Sequence, residues 1–117
     1  MYQEVKIGEK KFPMLAMASC DFYYKNCFGE DPIKIQSDKD LWTDAAATEL
    51  MMGMGFIMAK FAELRSRKEM LKLNEDAYLE WLDQFTRAEY LDALTDIMSV
   101  YNGSRVETSA PKKEEDQ

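Results

Sequence analysis

The chain has 117 residues with 15 Lys and Arg against 22 Asp and Glu, a formal charge of -7, which suits one acidic domain with a modest core. Its basic residues are dispersed rather than gathered into a stripe, which argues against a nucleic-acid partner, because phosphate binding needs a concentrated positive surface. It contains no histidine, so the commonest general base and the commonest zinc ligand are both missing; no catalytic residue, no cofactor and no metal site are nominated.

At the N-terminus, Met1-Tyr2-Gln3-Glu4 lacks a basic stretch and no apolar run follows, so no secretory signal is read and the cytoplasm is the expected compartment. Residues 4–7 alternate polar and apolar, Gly8-Glu9-Lys10 has turn character, and residues 11–14 resume an extended pattern. This predicts a β-hairpin with Val5, Ile7 and Phe12 facing inward and Pro13 near a strand end or edge. Two strands alone are marginal, so the hairpin must lean on helices.

From residue 16 to 28 the spacing becomes helical, with Met17, Cys20, Tyr24 and Cys27 on one side and Phe22, Tyr23 and Lys25 flanking. Gly29 follows as a left-handed C-terminal cap, and Asp31-Pro32 forbids continuation. Seven helical residues separate Cys20 from Cys27 by about 10 Å, too far for a disulfide within that helix. The aromatic cluster is expected to pack on the hairpin and the central helix rather than to line a ligand pocket. Residues 33–39 read as a connector.

The hub of the chain is Leu50-Met51-Met52-Gly53-Met54-Gly55-Phe56-Ile57-Met58-Ala59, ten residues without a polar side chain. A transmembrane helix needs roughly 20 apolar residues, and here Thr48 and Glu49 precede the run while Lys60, Glu63, Arg65, Arg67 and Lys68 follow it. With Ala45-Ala46-Ala47 just before it and one β-branched residue inside it, the segment is read as a helix. N-cap candidates lie at 37–40, and the helix is expected from Leu41 and Trp42 to about Arg67, where the basic run complements the helix dipole. Gly53 and Gly55 each cost about 1 kcal/mol of helix propensity, a cost accepted where another backbone comes close. The helix is apolar nearly all round. It is therefore either central in the domain or shares one face with a partner, a role methionines suit through their adaptability.

Asn74 is read as the cap of a further helix whose first turn carries Glu75 and Asp76, with Tyr78, Leu79, Trp81, Leu82 and Phe85 on its apolar side. Thr86-Arg87-Ala88-Glu89 matches a capping box and opens a last helix. Tyr90, Leu91, Leu94, Ile97, Met98 and Tyr101 face inward on it, Asp92 and Asp96 face solvent, and Asn102-Gly103 is the expected end. Residues 104–117 are polar and charged, with one Val and no aromatic, and are expected to be a disordered tail. The whole is thus a mainly α (α+β) protein, a small N-terminal hairpin packed on a bundle of about four helices over residues 1–103. The candidate partner or self-association surface comprises Met51, Met52, Met54, Phe56 and Met58 of the hub with Tyr78, Trp81 and Phe85. An exposed hairpin edge offers a second route to a homo-oligomer.

The order of elements resembles the tail assembly chaperones of long-tailed bacteriophages. The strand turn Gly8-Glu9-Lys10-Lys11-Phe12-Pro13, the helix end Phe28-Gly29-Glu30-Asp31, the apolar central helix, Leu79-Glu80-Trp81-Leu82 and a last helix into a charged tail carry the likeness over about residues 2–103, while residues 33–39 do not match. The resemblance implies a non-enzymatic protein of the host bacterial cytoplasm, absent from the mature virion, that binds the tape measure protein, keeps it soluble and helps recruit tail tube subunits. It also implies a short form of a pair whose longer member arises by ribosomal frameshift; Lys112-Lys113, written AAA AAG after a codon ending in A, would supply the slippery site. A small helical adaptor or regulator, such as a prophage-borne inhibitor or antitoxin acting by protein docking, is the alternative.

Overall fold

The computed structural model describes residues 2–64 and 73–109, with side chains assigned up to residue 103 in the last helix. The expected mainly α fold with an N-terminal hairpin is what the chain adopts. Strands β1 (Tyr2–Ile7) and β2 (Lys10–Leu15) pair antiparallel, with Val5 opposite Phe12 and Ile7 opposite Lys10. The pleat puts Val5, Ile7, Phe12 and Met14 on one face, and Val5, Ile7 and Met14 are fully buried there. β2 lies on the central helix and β1 on the last helix, which supplies the support a lone hairpin lacks.

Helix α1 (Ser19–Phe28) ends on Gly29, whose left-handed backbone (φ 78°) lets its N–H donate to the Lys25 carbonyl at 2.8 Å. It starts three residues later than its apolar spacing predicts. Met17 consequently precedes the helix and stands half exposed instead of sharing a face with Cys20 and Tyr24, which are buried. The segment read as a connector contains a short helix, α2 (Pro32–Ser37). Asp31 caps it, accepting from Ile33 N–H at 3.0 Å, and Pro32 occupies the first turn, where a missing N–H costs nothing. The Asp-Pro pair that stops α1 therefore also starts α2.

The central helix α3 spans Asp44–Leu64. Its cap is Thr43, whose hydroxyl accepts from Ala46 N–H at 3.1 Å, so Leu41 and Trp42 lie in the preceding turn and not in the helix. Arg65, Arg67 and Lys68, expected in its last turns, lie outside the described residues. By length and composition α3 could cross a membrane, yet its apolar residues are packed within this fold: Leu50, Met51, Met54, Phe56, Ile57 and Met58 are essentially inaccessible.

Two glycines set how closely the other helices approach α3. A Cβ on Gly53 would come within 2.9 Å of ring atoms of Tyr24 and Phe28, and one on Gly55 would sit 2.7 Å from the Tyr90 hydroxyl and 3.0 Å from Ile97. These two positions seat α1 and the last helix against opposite sides of the hub.

Helix α4 (Glu75–Leu82) is capped by Asn74, which accepts from Ala77 N–H at 2.9 Å. Trp81 is its buried residue; Leu79, grouped with the apolar side by spacing, is 55% exposed. Helix α5 (Arg87–Ser109) opens with the expected capping box: Thr86 N–H donates to Glu89 Oε1 at 2.9 Å and Glu89 N–H to Thr86 Oγ1 at 3.2 Å. Its buried face is Tyr90, Ala93, Ile97, Val100 and Tyr101, and Asp92 and Asp96 face solvent. The helix does not end at Asn102-Gly103 but runs through them to Ser109, while the rest of the expected tail, 110–117, lies outside the described residues.

Candidate functional site

Helices α1, α3 and α4 leave between them a cleft of about 860 Å³. On α3 the lining residues are Asp44, Ala45, Thr48, Glu49, Met52 and Gly53, which recur at the three- and four-residue spacing of one helix face. Apart from Met52 and Glu49 these side chains are small or absent, and a face of small side chains between two bulkier helices makes a concavity. α1 and the residues after it contribute Tyr24, Phe28 and Glu30, and α4 contributes Glu75, Tyr78 and Leu79.

The floor is aromatic. Tyr24 and Phe28 have ring centroids 4.6 Å apart, Phe28 and Tyr78 meet edge to face at 4.9 Å, and Tyr78 reaches Phe56 of the hub at 5.5 Å. Such edge and tilted contacts fix the rings beyond what burial alone does. The rim is acidic: Glu30, Asp44, Glu49 and Glu75 are all exposed, and among the described residues no Lys or Arg lines the cleft. Among the described residues the close ion pair is Lys60 with Glu63 at 3.7 Å, outside the cleft.

The carboxylates are felt on the floor. Burial first, then the negative charge of Glu30 and Glu49, pushes the Tyr24 phenol well above its usual range. Burial and Glu49 raise Tyr78 to about 12, and burial and Glu75 raise the Cys27 thiol. All three groups stay neutral at physiological pH. Cys20, buried and raised to about 11 chiefly by desolvation, is an inert core thiol that donates to the Leu15 carbonyl at 3.6 Å. Among the described residues no group of three or more Cys, Asp or Glu side chains is placed to hold a metal ion.

The eight residues proposed as a partner surface fall into three settings. Met51, Met54, Phe56, Met58 and Trp81 are core residues and form no surface: β2 and α5 cover the hub away from the cleft, and Trp81 is enclosed by Phe12, Phe85 and Tyr90. Phe85 is half-buried in a cluster with Phe12, Trp81 and Tyr90. Met52 and Tyr78 alone of the eight line the cleft. Tyr24 and Phe28, expected only to pack, both pack against Gly53 and wall the cleft. Sequence reasoning missed the four carboxylates and the small face of α3. The available signal was Ala45, Thr48, Glu49, Met52 and Gly53 at helical spacing, masked because the hub looked apolar all round. Compared with family models, characterised proteins and solved structures, the chain has no match.

Proposed function

We propose that this chain is a tail assembly chaperone of a long-tailed phage or prophage. In that role it binds the tape measure protein, keeps it soluble and helps recruit tail tube subunits around it. The observation that carries the reading is the cleft between α1, α3 and α4, an aromatic floor inside an acidic rim. An apolar concavity of this kind holds an amphipathic helix, and helix-in-groove binding is one of the general modes of peptide recognition. The net charge of -7 supports solubility of a complex with an aggregation-prone client. The order of short motifs along residues 2–103 supports the phage assignment in particular.

The test is co-expression with the tape measure protein encoded beside it. A rise in the soluble yield of that protein over an unrelated acidic helical control is the expected result. Equal yields with and without this chain would remove the chaperone reading.

A further inference from the structure

We propose that the cleft between α1, α3 and α4 docks one basic amphipathic helix, which seats large apolar side chains on Tyr24, Phe28, Met52 and Tyr78 and meets the acidic rim with lysines or arginines. The inference deepens the chaperone reading and rests on it for the partner's name, while its chemistry comes from the cleft.

Length sets the first constraint. The lining of α3 runs from Asp44 to Gly53, nine residue steps or about 14 Å of helix. A ligand lying along it presents two to three turns, which puts anchors at i, i+4 and i+7. Met52 together with the Tyr24, Phe28 and Tyr78 rings makes a floor that suits Leu, Met or Phe anchors.

Charge sets the second. Glu30, Asp44, Glu49 and Glu75 are exposed around a low-dielectric floor, with no cation among the described residues that line it. Asp44 and Glu75 stand in the first turns of α3 and α4, where the positive end of each helix dipole offsets part of their charge. Glu49 lies in the second turn of α3, beyond the first turn where the dipole offset acts, and Glu30 stands between the C-terminal end of α1 and the N-cap of α2, whose dipole ends oppose each other there. Glu30 and Glu49 are the charges felt by Tyr24 on the floor, which makes them the pair to reverse. A concave low-dielectric site lined by one sign of charge concentrates ligands of the other sign. A partner with acidic flanks is repelled, and an uncharged one leaves the rim unanswered.

The test uses the full chain and two fluorescein-labelled synthetic helices with the same Leu/Phe seam, one flanked by lysines and one by glutamates. Anisotropy is read on wild type, on Glu30→Lys/Glu49→Lys in the cleft, and on Asp92→Lys/Asp96→Lys on the solvent face of α5, which changes net charge by the same amount. The expected result is that the lysine helix binds wild type and the α5 variant alike and binds the cleft variant at least tenfold more weakly. The glutamate helix gains binding only to the cleft variant. Leu79→Asp, at the exposed lip, serves as the second cleft variant and strengthens the lysine helix only if apolar contact is unimportant; weakening is expected.

No binding of the lysine helix, or equal weakening by the two double variants, overturns the proposal. So does a wild-type dimer in sedimentation that the cleft variant dissociates, because the cleft is then a self-interface. Co-expression separates the two claims. If wild type and cleft variant solubilise the tape measure protein equally, the cleft assignment fails and the chaperone reading stands. If neither does so while the peptides discriminate as expected, the function fails and the cleft stands.

Discussion

The Tyr90 hydroxyl donates to the backbone carbonyl of Met52, 38 positions earlier in the chain, and accepts from Trp81 Nε1 at 3.1 Å. One phenol thereby ties α5 to α3 and α4 behind the wall of the cleft to which Met52 belongs. Gly55 makes room for it, since a Cβ there would stand 2.7 Å from the hydroxyl oxygen.

Tyr90→Phe keeps the ring and leaves the Trp81 indole N–H buried without its partner, which costs about 1–3 kcal/mol. The loss should appear as a lowered urea midpoint with an unchanged m-value. Gly55→Ala in wild type gains about 1 kcal/mol of helix propensity but forces the hydroxyl aside, an overpacking that costs roughly 1–3 kcal/mol. In the Tyr90→Phe background the same alanine meets less crowding. A double-mutant cycle should therefore show Gly55→Ala less damaging there than in wild type; additivity would mean the two groups do not press on each other.

Met51 and Met58 are 2% and 0% exposed, which decides between a core and an interface role for them. Lysine at either position places an ammonium in a centre that holds no buried carboxylate among the described residues, at a cost of several kcal/mol against a total stability of roughly 5–15 kcal/mol. Circular dichroism of Met51→Lys/Met58→Lys should report an unfolded chain at 25 °C. A folded, monomeric double variant would contradict the packing of the hub.

The fold was legible wherever local chemistry announces itself in adjacent residues. The two strands, the Gly29 cap, the Asn74 cap and the Thr86-Glu89 box each depend on a few neighbours, and each formed as expected. α2 is hard to see in sequence because Asp31-Pro32 signals the stop of α1, although the same pair is an N-cap followed by proline at the first helical position. The end of α5 was misjudged because Asn102-Gly103 has cap chemistry, but glycine is tolerated inside a helix at about 1 kcal/mol. The candidate surface was half misplaced for another reason. A helix apolar on every side does not say which side its neighbours cover, and that depends on the long-range placement of β2, α1 and α5. Met52 and Tyr78 remained at the cleft, while Met51, Met54, Phe56 and Met58 were taken into the core.

Alkaline pH probes the floor of the cleft. Tyr24, Tyr78 and Tyr90 have folded-state pKa values raised above their ordinary value, in each case chiefly by burial. The folded chain thus holds these protons more tightly than the unfolded chain does. Their contribution to stability is complete below the unfolded tyrosine value of about 10 and is lost as pH rises from there through the folded values, near 12 for Tyr78. Thermal midpoints should accordingly be flat toward pH 9 and fall steeply between about pH 10 and 12. Tyrosinate absorbance from the three should appear together with loss of helical signal. Ionisation of all six tyrosines with helicity intact would show that the floor is open to water.

The capping box at Thr86-Glu89 tests whether α5 depends on its first turn. Thr86 Oγ1 satisfies the Glu89 N–H, and Glu89 Oε1 satisfies the Thr86 N–H in return. Thr86→Ala removes the first bond and leaves the second, so it should cost about 1 kcal/mol, and Thr86→Gly only a few tenths of that. Glu89→Ala removes the second bond and a favourable first-turn negative charge as well. The Glu89 carboxylate also lies against Gly8 in the hairpin turn, within 2.6 Å of where a Cβ there would stand. Its removal loosens the turn of the hairpin as well as the start of α5. Hydrogen exchange should therefore speed up at both β1–β2 and the first turn of α5 in Glu89→Ala, but only at α5 in Thr86→Ala. Exchange confined to α5 in both variants would show that the hairpin turn does not draw on Glu89.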